Sequence, residues 1–290
     1  MKDNISKIYY RLKRIPQILR AIKQVIKKGG ASKIYVSQIN DNNSLQGKRV
    51  LITGGASGIG LSIAKKAINQ GATVVIIGRD EKKLIDASFE INNSNLITKV
   101  LDVSDVDNIA DELSELNKLL GGDFDILVNN AGIIDGTDFP NVKPLQWDNI
   151  YAVNSKAVFF LSQEITKRWL NTQSESKYRK IINISSQGGF VGATYPYRLT
   201  KWDVVGMTQG LALKLAPKGI IVNGIAPGII ATDMQDSCLV DKNNAFINEN
   251  PVNRYALPEE IAELAGFLMS DASNFIVGHT VVCDGGFSLK

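Results

Sequence analysis

Histidine and cysteine are scarce in this chain of 290 residues, which contains only His279, Cys238 and Cys283 of these two types. A single imidazole argues against a histidine-based metal site and against a Ser/His/Asp triad, and His279 precedes a late strand where we expect a structural role. The two cysteines lie far apart and form no metal-like spacing. We therefore predict no bound metal and free thiols in a reducing compartment.

Long apolar runs are also missing. No stretch approaches the roughly 20 apolar residues of a membrane-spanning helix. The first residues, MKDNISKIYYRLKR, lack the continuous apolar stretch of a secretory signal. The composition, with 44% apolar and 21% charged residues, is that of a globular protein with a buried core. We expect a cytoplasmic protein.

Acidic residues are almost absent from the first 33 positions, which contain ten Lys or Arg residues and one acid, Asp3. This segment carries a net charge of +9, and because the whole chain carries +4, the remainder carries −5. A polar, Asn-rich stretch follows at 37–49. We therefore divide the chain into a basic N-terminal extension, residues 1–44, and a mildly acidic domain, residues 45–290.

The extension has apolar residues at helical intervals from 5 to 26, with Lys and Arg between them. The spacing predicts an amphipathic helix that Pro16 kinks or restarts and that Gly29 and Gly30 end. Three partners fit such a helix: the anionic inner surface of a membrane, the acidic body of this protein or of a neighbouring subunit, and nucleic acid. Packing against protein is the simplest interpretation, and no nucleic acid is expected because aromatic residues are few and a recognition motif is missing.

Beyond residue 47, apolar stretches alternate with helical ones. The predicted strands are RVLITGG, TVVIIGR, LITKVLDV, FDILVNNAG, RKIINISS and GIIVNGIAPG. Strands that are apolar throughout indicate burial on both faces. Alternating units of this length predict the α/β class, with a single Rossmann-type, doubly wound parallel sheet and the extension as a helical addition. Ligands of such sheets bind beyond the carboxyl ends of the strands.

The first strand runs directly into TGGASGIG, residues 53–60. Glycines at 54, 58 and 60 permit a tight turn and a close approach of the backbone, and the helix that follows offers free N–H groups to a diphosphate. A merely flexible turn is the alternative. Strand, glycine turn and helix nevertheless occur in the order that a dinucleotide site requires.

Further motifs follow the glycine turn in a fixed order. They are NNAG at 129–132, Asn154 in YAVNSKAVFFLSQ, INISS ending at Ser186, YRLTK at 197–201, PGIIAT at 227–232 and DGG at 284–286. Together they resemble the motifs of the short-chain dehydrogenase/reductase family over about residues 47–290. The resemblance implies an oxidoreductase that transfers a hydride between a nicotinamide dinucleotide and a carbonyl or secondary alcohol. Similar compact members include 3-oxoacyl thioester reductases and sugar or polyol dehydrogenases, and both substrate classes stay open.

The resemblance also implies which residues contact the cofactor. The glycine turn would hold the diphosphate, and the later motifs would line the adenine, the ribose and the nicotinamide. The matching positions are Thr53, Gly54, Ser57, Gly58, Ile59, Gly60, Arg79, Asp102, Val103, Asn129, Ala131, Gly132, Tyr197, Lys201, Pro227, Gly228, Ile230 and Thr232.

The end of the second strand, IIGRD, bears on the choice of cofactor. Dinucleotide folds that prefer NAD usually place an acid there to hold the ribose hydroxyls. Gly78 occupies that place, and Arg79 can pair with a 2′-phosphate that a carboxylate would repel. The sequence therefore favours NADP(H). NAD(H) is the alternative, because a shift of one residue would bring Asp80 against the ribose.

Two tyrosines compete for the role of acid and base in YPYRLTK, residues 195–201. Tyr197 and Lys201 share a face of a predicted helix, whereas Tyr195 precedes Pro196 and has no lysine four residues later. A nearby ammonium lowers the pKa of a phenol from about 10, so Tyr197 can donate a proton in reduction and accept one in oxidation. The family's Tyr-x-x-x-Lys motif falls on the same pair and implies that Lys201 also binds the nicotinamide ribose.

Ser186 and Asn154 complete the predicted catalytic set with Tyr197 and Lys201. The resemblance implies that Ser186 donates a hydrogen bond to the substrate oxygen and that Asn154 holds a water relay behind the lysine. INISS contains two serines, and the segment from Ser186 to Tyr197 is two residues shorter than expected for close relatives. Ser185 is therefore the substitute.

The remaining expectations concern partners. The irregular stretch 233–258 stands where relatives carry a mobile substrate lid. Compact relatives imply a homodimer or homotetramer, paired through the helices that carry Asn154 and Tyr197. The competing hypothesis is a non-enzymatic dinucleotide sensor or scaffold, anchored by the basic extension. The complete Asn/Ser/Tyr/Lys set argues against it.

Overall fold

The computed structural model describes residues 19, 23, 43–172, 178–232 and 247–289. Most of the predicted extension and positions 233–246 of the predicted lid lie outside the described residues, as does Cys238. Within the described ranges, no helix is both long enough and apolar enough to cross a membrane.

The described residues contain seven strands in one sheet. They are β1 (Arg49–Thr53), β2 (Thr73–Gly78), β3 (Leu96–Val100), β4 (Ile126–Asn129), β5 (Arg179–Ile184), β6 (Ile220–Pro227) and β7 (Thr280–Cys283). The order across the sheet is β3-β2-β1-β4-β5-β6-β7, and all neighbouring strands run parallel. The predicted doubly wound α/β sheet is confirmed.

Seven α-helices of the described ranges connect or follow the strands. They are α1 (Gly58–Asn69), α2 (Glu81–Ile91), α3 (Ile109–Leu120), α4 (Pro144–Tyr151), α5 (Ala157–Asn171), α6 (Pro196–Leu215) and α7 (Pro258–Met269). A single turn of π-helix, Ala152–Lys156, joins α4 to α5. Each long crossover returns the chain to the start of the next parallel strand.

The sheet separates two apolar cores. One core lies under α1, α2 and α7, and the other lies under α3, α5 and α6. Successive residues of a strand point to opposite faces, so Val50 and Ile52 enter the first core while Leu51 enters the second. Both faces of the central strands are buried, which is why these strands are apolar throughout.

The winding of the sheet reverses between β1 and β4. From β1 the chain moves outward through β2 to β3, and it then crosses back to β4 and continues outward on the other side. The connections at the carboxyl ends of β1 and β4 diverge at this point and leave a crevice. The glycine turn follows β1, and NNAG begins at the last residue of β4.

Candidate active site

The glycine turn is pressed against NNAG at the crevice. Gly54 has a positive φ of 61°, and a Cβ added there would lie 2.9 Å from the Cα of Ala131. A Cβ on Gly60 would lie 2.3 Å from the carbonyl oxygen of Gly54. The Thr53 hydroxyl accepts hydrogen bonds from the backbone N–H groups of Asn130 and Ala131, at 2.9 and 2.8 Å. Only glycine fits at 54 and 60, because a side chain would separate the two loops.

Two adjacent cavities lie at the carboxyl ends of the strands and share the glycine turn as a wall. The catalytic-side cavity has a volume of about 240 Å³. The predicted residues that line it are Gly54, Ser57, Gly58, Ile59, Ala131, Gly132, Ser186, Tyr197, Lys201, Pro227, Gly228, Ile230 and Thr232. The second cavity has a volume of about 270 Å³, and its lining includes Arg79, Asp102 and Val103. The fold thus brings most of the predicted site residues to one groove.

Four predicted residues line neither cavity: Thr53, Gly60, Asn129 and Asn154. Asn129 is buried in the core, where its amide donates to Ser162 Oγ at 3.0 Å and to Asn183 Oδ1 at 2.8 Å. The next residue of NNAG, Asn130, was not among the predicted site residues, and it lines the catalytic-side cavity instead. Strand alternation explains the exchange, because adjacent residues at a strand end point in opposite directions.

Asn154 lies in the π-helical turn between α4 and α5 and is buried. Its Oδ1 accepts a hydrogen bond from the N–H of Ile133 at 2.9 Å, and its amide donates to the Ile133 carbonyl at 2.9 Å. The same amide lies 3.3 Å from the hydroxyl of Thr200 on α6. Asn154 therefore ties the loop after NNAG to the helix that carries Tyr197.

The YPYRLTK segment begins helix α6. Tyr195 has extended backbone angles, Pro196 is the first helical residue, and Tyr197 and Lys201 follow one turn apart. The Lys201 ammonium donates to the carbonyl oxygen of Ile184 at 3.0 Å and lies 5.4 Å from the centre of the Tyr197 ring. The pair therefore meets at the end of β5, and burial lowers the pKa of Lys201 to about 8.

The pKa of Tyr197 is raised in the protein alone, which differs from the lowered value that the pairing with Lys201 predicts. The cause is burial, which disfavours the phenolate, and it outweighs the hydrogen bond with Ser186, which favours the phenolate. In the protein alone, burial is therefore the largest influence on the pKa of the phenol.

The two serines of INISS have different partners. The Ser185 hydroxyl donates to the backbone carbonyl of Lys201 at 2.8 Å, so it joins β5 to α6. The Ser186 hydroxyl accepts from the N–H of Gly188 at 3.1 Å, and its interaction with Tyr197 lowers the pKa of the phenol. Of the two, Ser186 is the one beside the phenol.

The turn after β6 closes the other side of the catalytic-side cavity. A Cβ on Gly228 would lie 2.6 Å from the Cα of Asp284 in the DGG motif. The Asp284 carboxylate accepts hydrogen bonds from the N–H groups of Gly286 and Ser288, both at 2.8 Å. DGG therefore buttresses the turn at Pro227 and does not itself face the cavity.

The second cavity contains two cations, Arg79 and Lys83. Sequence reasoning missed Lys83, although its position in the first turn of the helix that follows β2 is the signal that could have found it. Asp80 accepts a hydrogen bond from the Lys83 N–H at 3.1 Å and so caps α2. Asp102 accepts from the N–H and the hydroxyl of Ser104, bonds that lower the pKa of its carboxyl.

In the described portion of the chain, no group of three or more His, Cys, Asp or Glu side chains is placed to hold a metal ion. Cys283 is a free thiol whose pKa is raised chiefly by burial. His279 uses its backbone, through its N–H to Asn223 and its carbonyl to Gly224.

Comparison with known proteins gives the same fold and the same family. The family model described as enoyl-(acyl carrier protein) reductase matches residues 54–288. The chain is 35% identical to a 3-oxoacyl-(acyl-carrier-protein) reductase of Rickettsia conorii, over 83% of this chain and 97% of that protein. It is 34% identical to the gluconate 5-dehydrogenase of Gluconobacter oxydans, over 85% and 97%.

Solved structures agree with these relatives. A gluconate 5-dehydrogenase from Burkholderia cenocepacia, in complex with NADP and tartrate, superposes with a TM-score of 0.77 at 31% identity, covering 87% of this chain and 98% of that one. The structure described as the Pseudomonas aeruginosa RhlG/NADP active-site complex gives a TM-score of 0.79 at 29% identity, covering 86% and 100%. The chain therefore belongs to the short-chain dehydrogenase/reductase family of oxidoreductases, which use nicotinamide dinucleotides.

Proposed function

We propose that this protein transfers a hydride between NADP(H) and a carbonyl or secondary alcohol, with Tyr197 as the general acid and base. The observation that carries this is the meeting of Tyr197, Ser186 and Lys201 in the cavity that the glycine turn also lines. A phenol, a hydroxyl donor and an ammonium at one point are what protonation of a developing alkoxide requires. Nicotinamide, when bound, supplies or accepts the hydride.

Four residues around this cavity have different roles in the proposed reaction. Ser186, already hydrogen-bonded to Tyr197, holds the substrate oxygen beside the phenol. Tyr197 gives its proton to that oxygen in reduction and takes one in oxidation. Lys201 would hold the ribose hydroxyls of a bound cofactor, and its ammonium would act against the burial that raises the pKa of Tyr197. Asn154 positions α6 and the loop after NNAG.

A panel of ketones with NADPH tests this proposal, with oxidation followed by absorbance. We expect turnover of at least one substrate, and Tyr197→Phe to lower kcat by about 10²-fold or more while NADPH still binds. Tyr197→Phe with wild-type kcat would exclude the assigned acid. A complete lack of turnover across carbonyl classes would instead favour the non-enzymatic sensor or scaffold.

The preference for NADP(H) over NAD(H) is proposed from the second cavity. Arg79 and Lys83 bring two positive charges to it. Asp80 and Asp102 are already engaged by backbone N–H groups, Asp80 as the cap of α2 and Asp102 by Ser104. A 2′-phosphate would meet these two cations in a cavity whose lining also includes the carboxylates of Asp80 and Asp102.

Dissociation constants of NADPH and NADH, measured by fluorescence, test the preference. Arg79→Ala should weaken NADPH binding about tenfold and leave NADH binding nearly unchanged, since a charge-assisted contact contributes about 1.5–3 kcal/mol. Lys82→Ala is the matched control, because Lys82 is an exposed cation outside the cavity lining. Equal affinities in the wild type would contradict the NADP(H) assignment.

The substrate class follows only coarsely from the relatives. Those reported above act on 3-oxoacyl groups carried by acyl carrier protein or on gluconate. A 3-oxoacyl thioester and a keto sugar acid are therefore the two substrates to assay first.

A homo-oligomer is proposed from exposed aromatic residues on the helices around the site. Trp147 on α4, Phe159 on α5 and Trp202 on α6 are 40, 42 and 47% exposed. Large apolar side chains on neighbouring helices are typical of subunit contacts. Light scattering should give a dimer or tetramer, and Phe159→Asp should shift it toward the monomer. Leu119→Asp, at a 69% exposed position on α3, is the control. A monomeric wild type would contradict the proposal.

Membrane binding by the basic extension is a separate proposal. Leu19 and Lys23 lie in helical conformation, and Leu19 is 59% exposed, so the protein body does not bury this apolar position. Anionic lipid would complement the charge of residues 1–33. Liposomes with anionic lipid should pellet the full chain but not a version that starts at Leu45. Equal pelleting of both versions would exclude the proposal, and neutral liposomes are the control.

A further inference from the structure

Tyr195, the first tyrosine of YPYRLTK, lies beside Tyr197, the second. The rings of Tyr195 and Tyr197 are 6.3 Å apart between centres and nearly parallel, at 14°. The extended backbone of Tyr195, followed by Pro196 as the first residue of α6, brings both rings to the same side of the helix start. Tyr195 is therefore a neighbour of the catalytic phenol, although it lies outside the Tyr-x-x-x-Lys motif.

Arg198 covers the Tyr195 ring. Its guanidinium carbon lies 5.3 Å from the ring centre, which is a cation–π arrangement. Its Nη1 donates to the carbonyl of Gly192 at 3.2 Å, and its Cγ would lie 3.0 Å from a Cβ added at Gly188. The side chain therefore rests on the loop that follows Ser186, one aromatic ring away from Tyr197.

The charge of Arg198 is not neutralised by the described part of the chain. Arg254 and Arg179 have a carboxylate within 4.0 Å, whereas Arg198, like Arg79, has none among the described residues. A guanidinium has five N–H groups, and the bond to Gly192 uses only one nitrogen. Arg198 is a partly exposed cation with spare donors, and it lies across the Tyr195 ring from Tyr197, outside the lining of both cavities. Such a group is suited to an anionic ligand.

We infer that Tyr195 and Arg198 form a substrate-contacting surface next to Tyr197, and that Arg198 selects substrates that carry an anionic group. The group is a carboxylate or a phosphate, the two anions whose geometry the guanidinium fork matches. A keto sugar acid provides the first and an acyl thioester of coenzyme A the second. This inference rests on the proposed function, since it concerns selection at the same site.

Matched pairs of substrates test the inference with full-length protein and NADPH. The first pair is a keto sugar acid and a neutral ketose of the same length. The second pair is a 3-oxoacyl-coenzyme A and the same acyl group on N-acetylcysteamine. The measured quantity is the ratio of kcat/KM between the anionic and the neutral member, and the pair with the larger ratio identifies the source of the anion.

We expect the wild type to prefer the anionic member of at least one pair. Arg198→Met should lower that ratio about tenfold, mostly through KM, and Arg198→Lys should restore part of it. Tyr195→Ala should raise KM for the preferred substrate without changing the affinity for NADPH. Lys214→Met is the control, since it removes an exposed cation from the same helix about 24 Å away.

The outcomes separate this inference from the proposed function. Turnover with an unchanged ratio in Arg198→Met would overturn the inference and leave the hydride transfer standing. No turnover of any substrate by the wild type would refute both. If Arg198→Met does not fold, tartrate inhibition of the wild type and of Arg198→Lys decides, because the inference requires inhibition that competes with substrate and weakens in the variant.

Discussion

Two buried lysines lie at opposite edges of the sheet, near the two ends of β5. Lys180 is the second residue of that strand, and Lys201 donates to the carbonyl of Ile184, its last residue. Burial lowers the pKa of both ammonium groups to about 8. Burial thus lowers the pKa of a lysine to a similar value at the amino end and at the carboxyl end of β5.

The surroundings of the two lysines differ. The Lys180 ammonium donates to Ser273 Oγ at 2.9 Å, to the Leu268 carbonyl at 3.3 Å and to the Ser270 carbonyl. Its three N–H groups therefore have three acceptors, and they satisfy carbonyls at the end of α7. Lys201 has one such acceptor among the described residues and lines a cavity.

The difference separates a cation whose donors are all used within the chain from one that keeps donors beside a cavity. At the amino edge the donors are used up by the chain itself. At the carboxyl edge donors are left over, and they face space in which a ligand fits. A spare donor next to a cavity indicates a binding site more reliably than a shifted pKa, because the pKa values of the two lysines are alike.

Lys201→Met should give the largest effect, on turnover. Removing the ammonium deprives Tyr197 of the charge that helps it ionise and deprives the ribose of its donor, so kcat should fall by about 10²-fold or more. Steady-state kinetics with NADPH checks this, and chemical unfolding should show that the variant remains folded. Wild-type kcat in this variant would make Lys201 a structural residue like Lys180.

Lys180→Met should affect stability and not turnover. The change leaves the carbonyls at the end of α7 without their donor, which should lower the free energy of unfolding by about 1–3 kcal/mol. Urea unfolding measures the loss, with Lys214→Met as the exposed control. If the Lys180→Met variant is fully folded in the assay and its kcat is nevertheless lowered, the surroundings of Lys180 and the site around Lys201 are coupled.

The pH dependence of activity should also separate the two lysines. Lys201 loses its proton as the pH rises through its pKa of about 8, so kcat/KM for reduction should fall above that pH. The Lys180→Met variant should show the same fall in kcat/KM, because Lys180 lies at the end of β5 opposite Lys201. A wild-type profile that stays flat to about pH 10 would contradict the assigned role of Lys201.

The smallest effect concerns stability against pH, where the two lysines should behave alike. The folded pKa of each is about 8, below the 10.5 of a free lysine. Between these values the unfolded chain binds more protons, so each lysine makes the free energy of unfolding rise with pH in that window. Urea unfolding across the window should show a smaller rise in either methionine variant. An unchanged slope in both would mean that the lysines are not desolvated.

Much of the fold was predictable from local pattern. Apolar strands followed by helical spacing indicated the parallel sheet, and the glycine turn between β1 and α1 indicated where a dinucleotide would lie. The spacing of four residues between Tyr197 and Lys201 favoured Tyr197 over Tyr195 as the candidate acid. These predictions depend on residues that are close in sequence, whose geometry a single helix or turn dictates.

The hydrogen-bond partners of individual polar side chains could not be predicted from local sequence patterns. Lys180 stands in RKIINISS without any motif, and its acceptors come from residues 268–273. Ser185 and Ser186 are adjacent and chemically identical, and only the packing of α6 on β5 directs one to a backbone carbonyl and the other to Tyr197. The side chain of Asp80 caps α2, a role that the letters IIGRD do not indicate.

The amino-acid sequence by itself determined the α/β class, the family and the region of the site, because strand burial, helix spacing and glycine turns act over a few neighbouring residues. Only the tertiary structure decided which of several adjacent polar side chains face the cavity, which cations keep spare donors, and that the phenol of Tyr197 is held un-ionised by burial. Those properties depend on contacts between segments far apart in the chain and on the exclusion of water, which no local pattern records.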